Sequence, residues 1–147
     1  MLTSASILEL IPHQGTMCLL DEVTVWSDTT ITCRTRSHLS PDNPLRRIGG
    51  LNVLCGIEYG LQAAALHGAL LTGRAQPAGY LAALRSVEFL VERLDDPSIG
   101  ALEVSARLEL HDVGGLLYGF RLRSSEGADL LTGRAAIVLP APAADMP

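Results

Sequence analysis

From Leu51 to Leu71 the chain has the length and composition of a helix and almost no polar face: Leu51, Val53, Leu54, Ile57, Leu61, Ala64, Ala65, Leu66, Ala69 and Leu70 surround it. A helix apolar on nearly every side belongs inside something. Asn52 is placed to cap its start and Thr72-Gly73 to end it. Four strand-like segments follow, at 79–94, 101–112, 116–124 and 130–139. Asp95-Asp96-Pro97, Gly114-Gly115 and Glu126-Gly127 separate them, and the spacing suits antiparallel hairpins. Upstream, Ser4 can cap a short helix that Pro12 stops, and 17–26 and 29–36 read as a hairpin turning at Ser27-Asp28. Between 37 and 50, Pro41, Asp42, Asn43, Pro44 and two glycines make a structured loop. A parallel β/α sheet needs helices between its later strands, and here there are none. The expected architecture is α+β, one buried helix wrapped by one curved antiparallel sheet, as a single domain over 1–140. The Ala/Pro tail at 141–147 is expected to fray.

The chain of 147 residues is 48% hydrophobic but only 4% aromatic, so the core must be aliphatic and some apolar surface awaits a partner subunit. A dimer is therefore expected. The formal charge is −5, and all eleven basic residues are arginines in runs no longer than two. That excludes the basic stripe of a nucleic-acid binder. Cys18, Cys33 and Cys55 are odd in number and lack C-x-x-C spacing, which reads as small buried hydrophobes in a reducing compartment. No metal or other cofactor is expected. The start of the chain lacks the features of a signal peptide, and Asn52, Glu58, Gln62 and His67 make the apolar helix a poor membrane span. The expected location is the cytoplasm.

Glu58 stands out within the helix. At 100° per residue it shares a face with Leu51, Leu54, Cys55, Leu61, Gln62 and Ala65, so a carboxylate and an amide sit four apart in an aliphatic stripe. Desolvation favours the protonated form of such a carboxylate, which suits a general acid. The competing reading is that Glu58 and Gln62 satisfy each other, or backbone groups, inside an interface. His67, nine residues on, is half a turn round and about 13 Å along the axis, so it cannot meet Glu58 in one chain; it is expected in the core or against a strand. His13 reads as structural and His111 as exposed. His38 begins the loop that feeds the helix, where it is either solvated or brought beside Glu58.

With these residues in place, the chain resembles the hotdog-fold dehydratases that act on 3-hydroxyacyl groups carried by acyl carrier protein. Residues 10–23, LIPHQGTMCLLDEV, are similar to that family's opening L-x-P-H-R-x-P-x-L-L-x-D-x-V, and Glu58-Tyr59-Gly60-Leu61-Gln62 matches its E-A-x-A-Q. Gly79-Tyr80-Leu81 to Phe89 resembles the strand after the helix. Asp42-Asn43-Pro44-Leu45-Arg46-Arg47 with Gly56-Ile57-Glu58-Tyr59 resembles a divergent branch encoded with aryl polyene and related clusters. The sequence departs from the family's H-F-P-G-x-P-x-x-P-G: the position of its catalytic histidine is Pro44, with Asn43 beside it, and the nearest upstream histidine is His38.

The resemblance implies a hydro-lyase reaction, with His38 as base and Glu58 as acid. It also implies that Gln62, Asn43, Gly50 and the amide of Val53, the position of the family's oxyanion glycine, bind substrate. Arg46, Arg47 and Arg85 are the candidates for docking the acidic carrier protein. Each family site takes its histidine and its acid from different subunits, which implies a homodimer or a heterodimer with a paralogous hotdog protein. Leu54, Leu61, Leu81 and Leu84 could line an acyl tunnel or belong to the core. A hotdog thioesterase and an inactive subunit paired with an active dehydratase are the competing readings, and fold alone does not choose among them.

Overall fold

The computed structural model describes residues 2–10, 17–73 and 80–138. The described elements are β1 (Leu2–Thr3), α1 (Ser4–Leu10), β2 (Glu22–Trp26), β3 (Thr30–Thr35), α2 (Gly56–Thr72), β4 (Tyr80–Phe89), β5 (Leu102–His111), β6 (Gly115–Arg123) and β7 (Asp129–Val138). They form one antiparallel sheet in the order β1-β2-β3-β5-β6-β7-β4. One long helix lies against it, as the resemblance implies. His13, the opening motif at 11–16, Gly79 and the tail at 141–147 lie outside the described residues.

Alternating side chains place the core on one face of the sheet. Along β5, Leu102, Val104 and Ala106 are buried while their neighbours are partly exposed, and β3 buries Ile31, Cys33 and Thr35. Against this face α2 buries Tyr59, Ala63, Leu66 and Ala69. The helix is not apolar all round in its contacts, however. Ile57, Glu58, Leu61 and Ala65 are only half-buried, and Leu54 is 59% exposed, so one chain's sheet covers one side. Asn52 caps through its side chain, accepting from Leu54 N at 2.8 Å, but it caps a single 3-10 turn (Val53–Cys55) that leads into α2. Gly73 closes the helix in the left-handed region, with its N–H bonded to Ala69 O.

The hairpin expectation holds for β2-β3, β5-β6 and β6-β7 and fails for β4-β5. β4 pairs with β7 at the far edge of the sheet, because α2 intervenes between β3 and β4 and returns the chain to the opposite side. The segment after β4 therefore crosses over rather than turning tightly. Leu94 N donates to Leu51 O and Val53 N to Glu92 O, which ties this crossing to the start of the helix.

Asp95 secures the crossing. Its buried carboxylate accepts two bonds from Arg93, at 2.9 and 2.8 Å, and lies 3.4 Å from Arg46 Nη2; a Cβ on Gly50 would overlap it. The Arg93 hydrogen bonds hold its pKa down at about 2. A carboxylate with a lowered folded-state pKa gives stability that is complete above its ordinary range near 4 and is lost as pH falls through 2. Asp95→Asn is expected to cost about 1–2 kcal/mol at pH 7, modest because both arginines are partly in water. Thermal melts should show the gap from wild type closing as pH drops from 4 to 2. A gap unchanged over that range would remove the ion-pair account.

Candidate functional site

Glu58 lies in the first turn of α2, half-buried, one helical turn before the fully buried Gln62. Gln62 Nε2 donates to Glu58 Oε1 at 3.5 Å and to Met17 O at 2.6 Å, while its Oε1 accepts from Leu19 N at 2.9 Å. The amide thus bridges the helix to the segment before β2, with both of its N–H donors used and its oxygen accepting once. The carboxylate keeps partial access to the uncovered side of the helix.

A second polar group adjoins this bridge. Tyr59, fully buried on the sheet side of α2, meets Ser37 Oγ at 2.8 Å and accepts from Asn43 Nδ2 at 2.9 Å. Ser37 Oγ donates to Leu19 O at 2.6 Å, and Thr35 Oγ1 bonds the same carbonyl. Asn43 Nδ2 also donates to Ser37 O, and its Oδ1 accepts from Leu45 N, which fixes the orientation of the amide. Burial pushes the Tyr59 hydroxyl up to about 12, with the Ser37 and Asn43 bonds opposing, so it is protonated at neutral pH. Asn43, the candidate in the divergent loop, is thereby joined to the helix next to Glu58. Tyr59 sat inside the matched motif without a polar role; a tyrosine in an aliphatic helix of a chain this poor in aromatics was the available signal.

His38 is placed differently. It falls in a 3-10 turn (Ser37–Leu39) with no exposed surface, and its Nε2 lies 2.8 Å from Gly100 O. A carbonyl only accepts, so Nε2 carries the proton and Nδ1 the lone pair. Nδ1 is buried and has no hydrogen-bond partner. Burial lowers the His38 pKa; Arg36 acts in the same direction, and the Gly100 carbonyl and Asp21 oppose, so the ring is neutral at pH 7. Among the described residues no hydrogen bond joins the His38 ring to Glu58.

The helix-entry amides are engaged as well. Val53 N donates to Glu92 O at 3.0 Å, Leu54 N to Asn52 Oδ1, and Gly50 N to Arg47 O at 2.9 Å. Arg46 is paired with Asp95, Arg47 Nη1 reaches the carbonyls of Pro44 and Arg46, and Arg85 lies on edge strand β4. Ile48, next to Arg47 in the loop, stands fully exposed. Leu54, Leu81 and Leu84 are exposed and Leu61 half-buried. His67 is a core residue, with Nε2 donating to Ser27 O at 2.8 Å and Nδ1 meeting Tyr118 OH at 2.7 Å, and His111 is exposed. Among the described residues no helix is long and apolar enough to cross a membrane.

Comparison with known proteins places the fold and the family. A chain in the dehydratase heterocomplex ApeI:P from Xenorhabdus doucetiae superposes with a TM-score of 0.81 at 24% identity, over 92% of this chain and 91% of that one. A thioesterase from Haemophilus influenzae gives 0.60 at 11% identity, covering 86% of this chain and 82% of its own. The PaaI protein of E. coli gives 0.56 at 11%, covering 80% and 81%. These likenesses establish the hotdog fold. No curated protein gives a significant match. The family model for ApeP-like proteins, described as ApeP dehydratase, spans residues 5–146, nearly the whole chain, and the protein therefore belongs to the ApeP-like family of hotdog dehydratases.

Proposed function

We infer that the chain eliminates water from 3-hydroxyacyl thioesters borne by acyl carrier protein, in biosynthesis of the aryl polyene type, as one half of a two-subunit hotdog assembly. The observation that carries this is the partly accessible Glu58, held by Gln62 on the uncovered side of α2 in a chain of the ApeP-like family. In the reaction a base takes the α-proton, the C–C double bond forms as the C–O bond breaks, and the Glu58 carboxylic acid protonates the departing hydroxyl. His38 is the base candidate within the chain: its tautomer leaves the Nδ1 lone pair unspent, although reaching it requires the 3-10 turn to open. The sealed position of His38 favours a second reading, in which a paralogous partner supplies the base and this chain the acid. The heterocomplex of the structural relative supports a paralogue as that partner.

For carrier docking, Arg46, Arg47 and Arg85 remain the candidates, with Arg47 the freest of the loop pair because Arg46 is committed to Asp95. The test is mass spectrometry of a 3-hydroxyacyl carrier protein incubated with the chain alone and with its hotdog paralogue. The expected result is an acyl group lighter by one water, in the mixture if the base comes from the partner. Release of free acid, or no change in either incubation, would overturn the reading. In the same assay at low salt, Arg47→Glu should raise the KM for the carrier severalfold by charge reversal; an unchanged KM puts the docking surface elsewhere.

A further inference from the structure

Resting on that reading of Glu58, we propose that Tyr59 is a positioning residue for the acid, acting through Ser37, Leu19 and Gln62. The donors run one way along the path. Leu45 N occupies Asn43 Oδ1, so Asn43 presents its NH₂ to the Tyr59 oxygen. Tyr59 O–H then has Ser37 Oγ as its acceptor, and Ser37 O–H goes to Leu19 O. Leu19 N–H goes to Gln62 Oε1, and Gln62 Nε2–H to Glu58 Oε1. The N–H and C=O of Leu19 belong to different peptide planes, so the coupling is mechanical rather than electronic. Ser37 and Thr35 fix the Leu19 backbone from one side, and Gln62 is set by where that backbone lies.

The consequence is that neighbouring helix residues, about 100° apart round α2, act on one proton donor: Glu58 carries the acid, and Tyr59 fixes the segment that orients it. Tyr59, Asn43, Gln62 and Leu19 have at most 7% exposed surface and only Ser37 along the way is partly exposed, so most of the path is shielded from water and solvent is a poor substitute for a cut link. A small displacement of a catalytic group costs rate rather than binding, which separates positioning from support of the fold.

Tyr59→Phe keeps the ring and removes the hydroxyl. In the assembly that turns over a 3-hydroxyacyl thioester, kcat should fall roughly 10-fold or more with KM within about twofold. Tyr118→Phe is the control: it removes an equally buried hydroxyl, the one on His67, against the same helix but away from Glu58. It should lower the melting temperature comparably and leave kcat near wild type. A readout free of activity is the ¹⁵N resonance of the Gln62 side-chain amide in the full chain, which Tyr59→Phe should shift and Tyr118→Phe should not. If Tyr59→Phe does not fold, Ser37→Ala cuts the same path and carries the same expectations. Equal kcat losses in the two tyrosine variants, or a Gln62 amide unmoved by Tyr59→Phe, overturn the positioning role and leave Glu58 as acid untouched. Wild-type turnover in Glu58→Gln instead removes the underlying reading.

Discussion

Glu58→Gln is expected to cut dehydration by roughly 10²-fold or more while the protein still folds, the usual share of a general acid. Glutamine keeps the shape and can still accept from Gln62 Nε2, the 3.5 Å contact in the structure, so the bracket from α2 to Met17 and Leu19 survives. What is lost is the proton that would pass to the departing hydroxyl. The measurement is steady-state turnover of a 3-hydroxyacyl carrier protein beside a thermal melt. A folded variant with undiminished kcat would sink the acid assignment. His38→Ala in the same assay assigns the base: a comparable kcat loss gives the role to His38, and turnover near wild type gives it to the partner subunit. The melt is needed here too, since the variant also removes the Gly100 bond of a buried ring.

On stability, the largest effect is expected at Gly60. A Cβ there would stand 2.5 Å from Phe120 Cδ2 and 2.7 Å from Cγ, and the same ring also lies close over Gly133, where a Cβ would be 2.9 Å from Cζ. Phe120 fills a slot floored by one glycine on the helix and one on β7. Alanine in a helix gains about 1 kcal/mol over glycine, whereas overpacking a core typically costs 1–3 kcal/mol; at 2.5 Å from a buried ring, the cost wins. Gly60→Ala should lower the melting temperature, and Gly60→Val should lower it further. Phe120→Leu is itself destabilising, yet it vacates the ring that Gly60→Ala strikes. The double variant should therefore be more stable than the sum of the single changes predicts. Strict additivity would mean that the helix had shifted instead and that the slot does not set the spacing.

The elements were legible because their signals are local. Alternation marked β3, β5, β6 and β7 to within a few residues, Gly73 ended α2 where expected, and Glu58 stood out as a carboxylate in an aliphatic stripe. What local pattern could not carry was partnership. Nothing in Tyr80–Phe89 says that it pairs with β7 rather than β5, because edge placement follows from where the helix returns the chain. Asp95 read as a turn residue and proved to be the anion that gathers Arg46 and Arg93. His38 read as a loop histidine, solvated or catalytic, and is sealed against Gly100, a residue 62 positions away. The all-round apolar helix was correctly a core element, but the side it leaves uncovered is visible only once the sheet is seen to wrap one face.

The position of β4 also bears on how the chain is made. It emerges from the ribosome before β5, β6 and β7, yet among the described strands its ladder is with β7, the last of them. During synthesis it must wait with unpaired N–H and C=O groups until about fifty further residues have been added. Such late, long-range closure makes folding slow and leaves a sticky ribbon exposed to neighbouring nascent chains. The φ of +52° at Ser86, where the β4-β7 register slips between Arg85 and Glu88, breaks the flatness of that ribbon. An irregular strand is a poor template for a stranger's backbone, so once β4 has become the sheet's edge, the kink that disrupts the native ladder also discourages a further strand from adding to it.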